Sequence, residues 1–466
     1  MSTELIPILA LAVMFIAATV LPVNMGALGF VAAFIVGTVF VGMSTDDIIG
    51  GFPSELFLTL VGVTYLFAIA QNNGTVDLMV RGAVRLVRGR VALIPWVMFG
   101  ITGLLTAVGA LGPAAVAIIA PIALGFAARY KINALLMGMM VIHGAQAGGF
   151  SPISVYGVTV NSITAKAGLV DSPLALFLGS LLFNAAIGVL LFVFLGGRSL
   201  IGRHVDDHHP EVPDADGSGS PGSGRAGKSD ASVGGARLAP EGGGATATKS
   251  RVPTQAVVET KPDTPAVTFE QIATLVGLAA LALFSLVLDL DVGFISMTVA
   301  VVLALLSPKA QKGAIAQISW STVLLIGGVL TFVGVLQEAG TVEYVGNAVA
   351  GLGMPLLVAL LLCYIGAIVS AFASSTAILG ATIPLAVPFL LAGDVGAVGV
   401  IVALAISSTI VDVSPFSTNG ALMLANRPDT ISEEKFYTQI LGYSAIVVAV
   451  GPLLVWAAVV LPGWSP

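Results

Sequence analysis

The sequence predicts an all-α polytopic membrane protein made of two inverted repeats, each with about five transmembrane helices, a re-entrant helical hairpin and a broken helix. Composition is the first reason: 57% of the 466 residues are hydrophobic and 9% are charged, whereas a soluble domain carries about a quarter charged residues. The second is the length of uncharged stretches such as 5–45 and 344–393, because a helix needs roughly 20 apolar residues to cross the hydrocarbon core. The third is a helix pattern that starts again after a polar linker.

This pattern divides the chain into a first membrane repeat at 1–197, a disordered cytoplasmic linker at 198–263 and a second, inverted membrane repeat at 264–466. The linker is rich in Gly, Ser, Pro and Asp, a composition typical of disorder. In the first repeat we expect helices near 5–22, 27–43 and 55–72, an amphipathic stretch at 75–90, a hairpin at 91–128, a helix from 132 that is broken at 148–153, and a helix at 174–196. In the second we expect helices near 267–288, 292–307 and 318–337, a hairpin at 353–393 and a helix from 396 that is broken at 413–417.

Matching segments and the distribution of basic residues support inverted repeats. Residues 71–77 match 337–343, and residues 151–157 match 414–420, at nearly the same separation. Four arginines follow the third helix of the first repeat, whereas the matching stretch of the second carries glutamates. Because basic loops stay in the cytoplasm, we expect both termini outside and the linker inside a bacterial cytoplasmic (inner) membrane. The first 21 residues lack the basic region of a signal peptide and are expected to form a membrane helix.

Each repeat contains a helix interrupted at a Ser-Pro sequence. The candidate residues are Gly149, Ser151, Pro152 and Ser154 in the first break and Val413, Ser414, Pro415, Ser417 and Asn419 in the second. Proline frees a carbonyl group one turn earlier; such carbonyls and hydroxyls suit Na⁺, and the N–H groups of a new helix start favour an anion. Inverted repeats bring such breaks together near the bilayer midplane. Two breaks at matching positions therefore predict a binding site rather than ordinary proline kinks.

The uncharged hairpins have tips of small or hydroxyl-bearing residues. The first tip is Leu111-Gly112-Pro113 and the second is Ser374-Ser375-Thr376. These residues favour re-entrant tips, with a plain pair of membrane crossings as the alternative.

Ionisable residues inside membrane segments are functional candidates, because an unpaired charge is costly there. Asp412 directly precedes the second break and is interpreted as a cation ligand or a proton-exchange site, with structural hydrogen bonding as the alternative. His143 precedes the first break, and a neutral imidazole bonded to a nearby carbonyl explains it equally well. Tyr156, Asn161 and Asn184 are weaker candidates.

Segments 109–121, 143–157, 374–384 and 412–420 resemble the ion transporter superfamily, specifically divalent anion/sodium symporter-like permeases and, closest, malonate or dicarboxylate carriers. The resemblance covers the chain apart from the linker. It implies inverted repeats with re-entrant hairpins and broken helices, elevator-type movement and a homodimer. In this family the tips carry Ser-Asn-Thr and bind Na⁺ and substrate carboxylate together with the broken-helix loops.

The resemblance also implies roles for individual residues. The implied substrate-binding residues are Ser151, Pro152, Ser154, Ser375, Thr376, Ser414, Pro415, Ser417 and Asn419. The Na⁺ candidates are Gly112, Gly149, Ser374, Ser375, Asp412 and Val413. The second tip is close to the family pattern, whereas the first has no side-chain oxygen. We therefore expect an asymmetric site in which cation binding depends mainly on the second repeat.

The predicted function is symport of a small dicarboxylate, such as malonate or a C4 acid, with Na⁺ or H⁺ as coupling ion and no other cofactor. The expected partners are the anionic substrate and membrane lipid; the net charge of −6 gives no indication of nucleic-acid binding. A Na⁺/H⁺ antiporter and an oxyanion/arsenite permease of the same superfamily are the nearest alternatives.

Functions of other classes are less well supported. A membrane-embedded enzyme needs metal ligands or paired catalytic groups within the bilayer, and this sequence offers one His and one Asp there, on different repeats. A channel does not need two halves that move against each other.

In the linker, His204, His208 and His209 with two aspartates could bind a metal, but a solvated linker is the simpler interpretation.

Overall fold

The computed structural model describes residues 5–204 and 267–463, apart from residues 22, 86, 88, 171, 289, 342, 345–347, 349–353, 372–374, 392–394 and 429. Within these ranges the structure is helical, and its one β-bridge joins Arg90 to His204. The predicted all-α class is therefore confirmed. The described parts of both halves belong to one compact unit.

The first half contains ten α-helices in the described residues. Their bounds are Leu5–Val20 (α1), Met25–Ile35 (α2), Thr45–Gly50 (α3), Ser54–Asn72 (α4), Thr75–Arg85 (α5), Ile94–Ala107 (α6), Gly112–Arg129 (α7), Ala134–Gly148 (α8), Val155–Lys166 (α9) and Pro173–Phe194 (α10). A π-helical turn, Val36–Val41, extends α2. Two 3₁₀ turns, Val91–Leu93 and Gly197–Leu200, precede α6 and follow α10. Side-chain caps explain several starts: Asn24 accepts hydrogen bonds at the start of α2, and Asn133 does so at α8.

The second half contains nine α-helices in the described residues. The helices are Phe269–Val287 (α11), Val292–Leu306 (α12), Pro308–Gln311 (α13), Trp320–Glu338 (α14), Pro355–Ser370 (α15), Ser375–Leu391 (α16), Ala397–Ile410 (α17), Thr418–Ala425 (α18) and Glu433–Val459 (α19). Two 3₁₀ turns, Ala314–Gln317 and Val411–Val413, precede α14 and follow α17. The two predicted hairpins are α6–α7 and α15–α16, and the two predicted broken helices are α8–α9 and α17–α18.

Seven helical segments are long and apolar enough to cross a membrane. They are Ser54–Asn72, Gly112–Arg129, Pro173–Phe194, Phe269–Val287, Trp320–Glu338, Ala397–Ala425 and Glu433–Val459. The outward faces of several are rich in large apolar side chains, such as Leu182 and Phe194 on α10. The prediction of a multi-pass membrane protein is confirmed.

Four helices pack reciprocally between the two halves. Helix α2 packs against α14, and α4 packs against α12, so the second helix of each half contacts the fourth helix of the other. Glycines allow these close crossings: a Cβ atom on Gly328 would overlap the backbone of Gly26, and one on Gly293 would lie 2.9 Å from the backbone nitrogen of Thr59. Such reciprocal packing of helices between two halves is typical of a duplicated architecture. The inverted orientation of the halves in the membrane stays a prediction.

The hairpins and broken helices also cross between the halves. Within each half the first hairpin arm packs against the first part of the broken helix, α6 on α8 and α15 on α17. The second arm packs against the last part of the other half's broken helix, α7 on α18 and α16 on α9. As a result, the hairpin tips and the helix breaks of both halves are brought to the same region.

Candidate functional site

The two helix breaks have the same hydrogen-bonded backbone geometry. In the first, the Ser154 hydroxyl donates toward the carbonyl oxygens of Gly149 at 2.5 Å and Ser151 at 2.7 Å. It accepts a hydrogen bond from the N–H of Gly157. A Cβ atom on Gly157 would overlap the Ser151 carbonyl, so only glycine fits at this position in the first turn of α9.

Ser417 makes the equivalent contacts in the second break. Its hydroxyl donates toward the carbonyl oxygens of Asp412 at 2.6 Å and Ser414 at 2.7 Å, and it accepts from the N–H of Gly420. The hydroxyl hydrogens of Ser154 and Ser417 are therefore committed to the backbone. These predicted ligands act here as N-caps that shape the breaks, and each retains one lone pair for a cation.

The other residues of the breaks are mostly buried. The Ser151 hydroxyl donates to the Ala107 carbonyl at 2.7 Å and ties the first break to the first hairpin. Ser414 accepts from the N–H of Phe416 at 3.2 Å. Pro415 and Val413 are buried, whereas Pro152 is half-buried.

The second tip places oxygen atoms beside Asp412. Ser375 begins α16; its hydroxyl lies beside the Asp412 carboxyl and 2.9 Å from the hydroxyl oxygen of Ser370. The two serines are buried and Asp412 is 8% exposed. The second tip and the second break together therefore supply hydroxyl and carboxylate oxygens, the ligands that a hard cation prefers. The predicted residue Ser374 and the side chain of Thr376 lie outside the described residues.

The first tip has a different chemistry. Gly109 has a φ of +113°, which favours glycine, and helix α7 begins at Gly112 without a side-chain cap. A Cβ atom on Gly112 would lie 3.7 Å from Nδ2 of Asn419, which comes from the other half. Asn419 is 2% exposed, and its Oδ1 has no hydrogen-bond partner among the described residues. The predicted residues Gly112 and Asn419 are thus brought together, a pairing that the sequence did not suggest.

His143 lies on α8, and its hydrogen-bond partners belong to helices outside both breaks. It is fully buried on α8, with Nδ1 2.8 Å from Asn184 Oδ1 and Nε2 2.6 Å from the Tyr443 hydroxyl oxygen. Both ring nitrogens are therefore used in hydrogen bonds that tie α8 to α10 and α19. This geometry favours the structural interpretation, although the partners are side chains rather than a backbone carbonyl.

Two cavities lie near the first hairpin tip and between α3 and α14. One of about 50 Å³ reaches the first tip and is lined by Gly109, Leu111, Ala114 and polar groups that include Gln71 and Ser319. Another, of about 590 Å³, is lined by Asp47, Glu338 and other residues of α3 and α14, none of which is a predicted site residue. At Asp47, hydrogen bonds from the Ser44 side chain and backbone hold the pKa of the carboxyl below its ordinary value.

No group of three or more His, Cys, Asp or Glu side chains with metal-ligand geometry occurs in the part of the chain that the structure describes. Of the linker histidines, His204 pairs with Arg90 in the β-bridge. The remaining residues of that predicted cluster lie outside the described residues.

Comparison with known proteins agrees with this architecture. Residues 1–149 match the family model described as the N-terminus of the dicarboxylate carrier protein MatC. Among solved structures, 19 chains match; one is the YdaH transporter of Alcanivorax borkumensis, with a TM-score of 0.56 and 13% identity over 90% of this chain and 89% of that chain. The resemblance to dicarboxylate carrier-type permeases is confirmed. At this identity the solved structure supports the fold alone. A search of curated proteins finds no match.

The family match, which is to a carrier protein, supports a transporter rather than an enzyme. The family match covers the first hairpin and first helix break up to Gly149. The second break and second tip, which hold Asp412 and Ser375, lie beyond it.

Proposed function

We propose that the protein couples the transport of a small dicarboxylate, such as malonate or a C4 acid, to the symport of a cation, Na⁺ or H⁺. The observation that carries this proposal is the meeting of Ser375 and Asp412 at the second tip and break. A buried carboxylate without a cationic partner is costly. In the described residues the recorded ion pair joins Arg427 to Glu433 and does not involve Asp412. A bound cation or proton would remove that cost.

The substrate charge makes coupling advantageous. The tips and breaks contain no Lys or Arg, so a dianion must be stabilised by helix N-termini, hydroxyl and amide groups, and the bound cation. Each bound ion then favours the other. Because such coupling is reciprocal, the cation raises the affinity for the dicarboxylate by the same factor by which the dicarboxylate raises the affinity for the cation.

The reciprocal packing supports movement of the site as a unit. Each hairpin contacts the broken helices of both halves, and α2, α4, α12 and α14 make their most extensive contacts with one another. We propose that the hairpins and broken helices carry the site past this four-helix scaffold in an elevator-type movement. We further propose a homodimer in a bacterial cytoplasmic membrane, with both termini outside and residues 198–263 inside.

A Na⁺/H⁺ antiporter is the second candidate. Asp412 favours it, because a single buried carboxylate can bind either ion and so exchange one for the other. An oxyanion/arsenite permease would use the same helix N-termini for a different anion.

The deciding experiment is uptake into proteoliposomes that contain the purified full-length chain. Labelled malonate and succinate are offered with an inward Na⁺ gradient, with an inward proton gradient and with neither, and protein-free liposomes serve as the control. We expect concentrative uptake under one gradient and equilibration without it. Absence of uptake of both acids under every gradient would refute the proposed substrate class. Na⁺-driven proton release in the absence of a dicarboxylate would establish the antiporter instead.

A further inference from the structure

The segments that follow three apolar helices of the first half meet at a cavity of about 270 Å³. Helices α4, α7 and α10 are each long enough to cross a membrane. Helix α5 and the turn after it follow α4, and Tyr130 follows α7. The chain that follows α10 returns to the same place, where Nη2 of Arg203 donates a hydrogen bond to the Tyr130 carbonyl at 2.7 Å. Because such helices end where the hydrocarbon core ends, this position places the cavity at the surface of the membrane.

Helix α5 forms one wall of the cavity and is amphipathic. Its 11 residues extend about 17 Å, roughly half of the 30 Å hydrocarbon core. Val76 and Val80 are buried, whereas Arg81 and Arg85 are exposed. A short helix with an apolar face and a basic face is typical of segments that lie in the membrane interface.

The interior of the cavity is largely apolar. The residues that give it this character are Val84, Val87, Ile94, Phe126 and Tyr130. Arg85 is the charged residue of the lining, and none of the lining residues is acidic. Water is held poorly in such a space, because a buried water needs two to four polar partners. The cavity therefore suits a hydrocarbon chain.

Arginines from different parts of the chain surround this apolar space. Arg85 lines it, and the guanidinium carbon of Arg129 lies 5.6 Å from the centre of the Tyr130 ring. The ion pair recorded in the described residues joins Arg427 to Glu433. Arg85 and Arg129 thus have no carboxylate partner in the part of the chain that the structure describes. A guanidinium group binds a phosphate through paired hydrogen bonds.

We propose that this cavity binds one anionic phospholipid, with an acyl chain in the apolar space and the phosphate beside Arg85 and Arg129. An apolar cavity with basic residues at its rim, at the surface of the membrane, matches a lipid in both parts of its structure. Basic pockets at the ends of membrane helices attract anionic headgroups. The site is separate from both hairpin tips and both helix breaks, and it depends on neither the substrate nor the coupling ion.

The test measures lipid binding by the purified full-length protein in a neutral detergent. Dioleoyl phosphatidylglycerol is compared with dioleoyl phosphatidylcholine, which has the same chains and no net charge, and native mass spectrometry counts the bound molecules. Glycerol 3-phosphate supplies the phosphate without the chains.

Three variants probe the two parts of the site. Arg85→Gln and Arg129→Gln each remove one charge, and Val84→Phe fills the cavity without changing the charge. The matched control is Lys309→Gln. Lys309 is exposed and does not line the cavity, but it lies near the end of α4, since the Asn72 amide donates to the carbonyl of the next residue, Ala310.

We expect the wild type to bind phosphatidylglycerol about tenfold or more tightly than phosphatidylcholine, and each arginine variant to weaken this binding about fivefold, the factor that one basic residue contributes near an anionic lipid. Val84→Phe should weaken it to a similar extent, whereas Lys309→Gln should keep the wild-type affinity. Glycerol 3-phosphate should bind more weakly than either lipid. Melting temperatures without added lipid report whether each variant is folded, and the arginine variants decide the question if Val84→Phe is not.

Equal affinity for the two lipids, or wild-type affinity in a folded Arg85→Gln protein, would overturn the proposal. An equal loss in Lys309→Gln would overturn it too, because it would show attraction to the whole basic surface rather than to this cavity. Binding of glycerol 3-phosphate as tight as that of phosphatidylglycerol would exclude a role for the apolar space.

Discussion

Replacing Asp412 with Asn separates cation binding from folding. Asn has nearly the shape of Asp but no charge. Asp412 is 8% exposed, and its side chain lies beside the neutral hydroxyl of Ser375. The substitution therefore removes a buried charge without creating a cavity. We expect Asp412→Asn, in the absence of Na⁺, to melt at the wild-type temperature or above it.

The wild type should gain stability when the cation binds. A ligand that binds only the folded state at 100 times its Kd adds about 2.7 kcal/mol to the free energy of unfolding. If the Asp412 carboxylate is the charged ligand, Asp412→Asn should lose nearly all of this increment. The sign of the effect is therefore opposite in the two conditions: the variant is at least as stable without Na⁺ and less stable with it.

The assay is a melting-temperature titration with NaCl against choline chloride at constant ionic strength, followed by Na⁺-driven uptake of a dicarboxylate. Asp291→Asn is the matched control, because Asp291 is an exposed N-cap of α12 that accepts from the Phe294 N–H, and Asn caps a helix equally well. It should keep both the Na⁺ response and uptake.

A wild-type Na⁺ response in Asp412→Asn would refute the assignment of Asp412 as the cation ligand. If H⁺ is the coupling ion, neither protein responds to Na⁺. Asp412→Asn then resembles the protonated state, and its exchange of internal for external dicarboxylate should lose its dependence on pH.

Three further predictions concern neighbouring features. Ser375→Ala should raise the half-saturating Na⁺ concentration about tenfold through loss of one oxygen ligand, with the dicarboxylate KM unchanged at saturating Na⁺; uptake titrations measure both. Gly328→Ala should lower the free energy of unfolding by about 3 kcal/mol or more, because the added Cβ atom overlaps the backbone of Gly26. Gly442→Ala, where the added Cβ atom meets open space, should raise the free energy of unfolding by about 0.5–1 kcal/mol. Denaturation followed by tryptophan fluorescence compares the two variants. Tyr443→Phe removes the hydrogen bond to His143 and should cost about 1–3 kcal/mol of stability while uptake per folded molecule persists; an unchanged melting curve, or loss of uptake by folded protein, would contradict this.

Local sequence predicted the helices and the breaks well. The third helix, expected at 55–72, is Ser54–Asn72, and the expected first hairpin resolves into Ile94–Ala107 and Gly112–Arg129. The amphipathic stretch ends earlier than expected, at Arg85, and is followed by a turn in which Gly89 has a φ of +78°. The bounds of these helices and turns follow from the length of apolar segments and from the positions of proline and glycine, whose effects on the backbone extend over only a few residues.

Side-chain roles within the site were harder to predict. The serines of the breaks were expected as ligands; in the structure, the hydroxyls of Ser154 and Ser417 donate to backbone carbonyl oxygens of the breaks, and their oxygen atoms accept the helix N–H groups as N-caps. A Ser-x-x-Gly spacing at each new helix start, ending at Gly157 and Gly420, is the signal that could have indicated this N-cap geometry. His143 satisfies both ring nitrogens with residues distant in the sequence, which no local pattern indicates.

The sequence by itself determined that the chain is an all-α membrane protein with two matching halves, each with a hairpin and a broken helix, because hydrophobic length and helix-breaking residues are local properties. Only the tertiary structure decided which elements meet. Helices that are apolar on all faces carry little information about their neighbours, so the contact of the first tip with Asn419 became visible only when α7 was found packed on α18. The asymmetry expected from the composition of the tips thereby acquired a geometry: hydroxyl and carboxylate oxygens meet where the second tip contacts the second break, and the first tip, which has no side-chain oxygen, faces Asn419 of the other half.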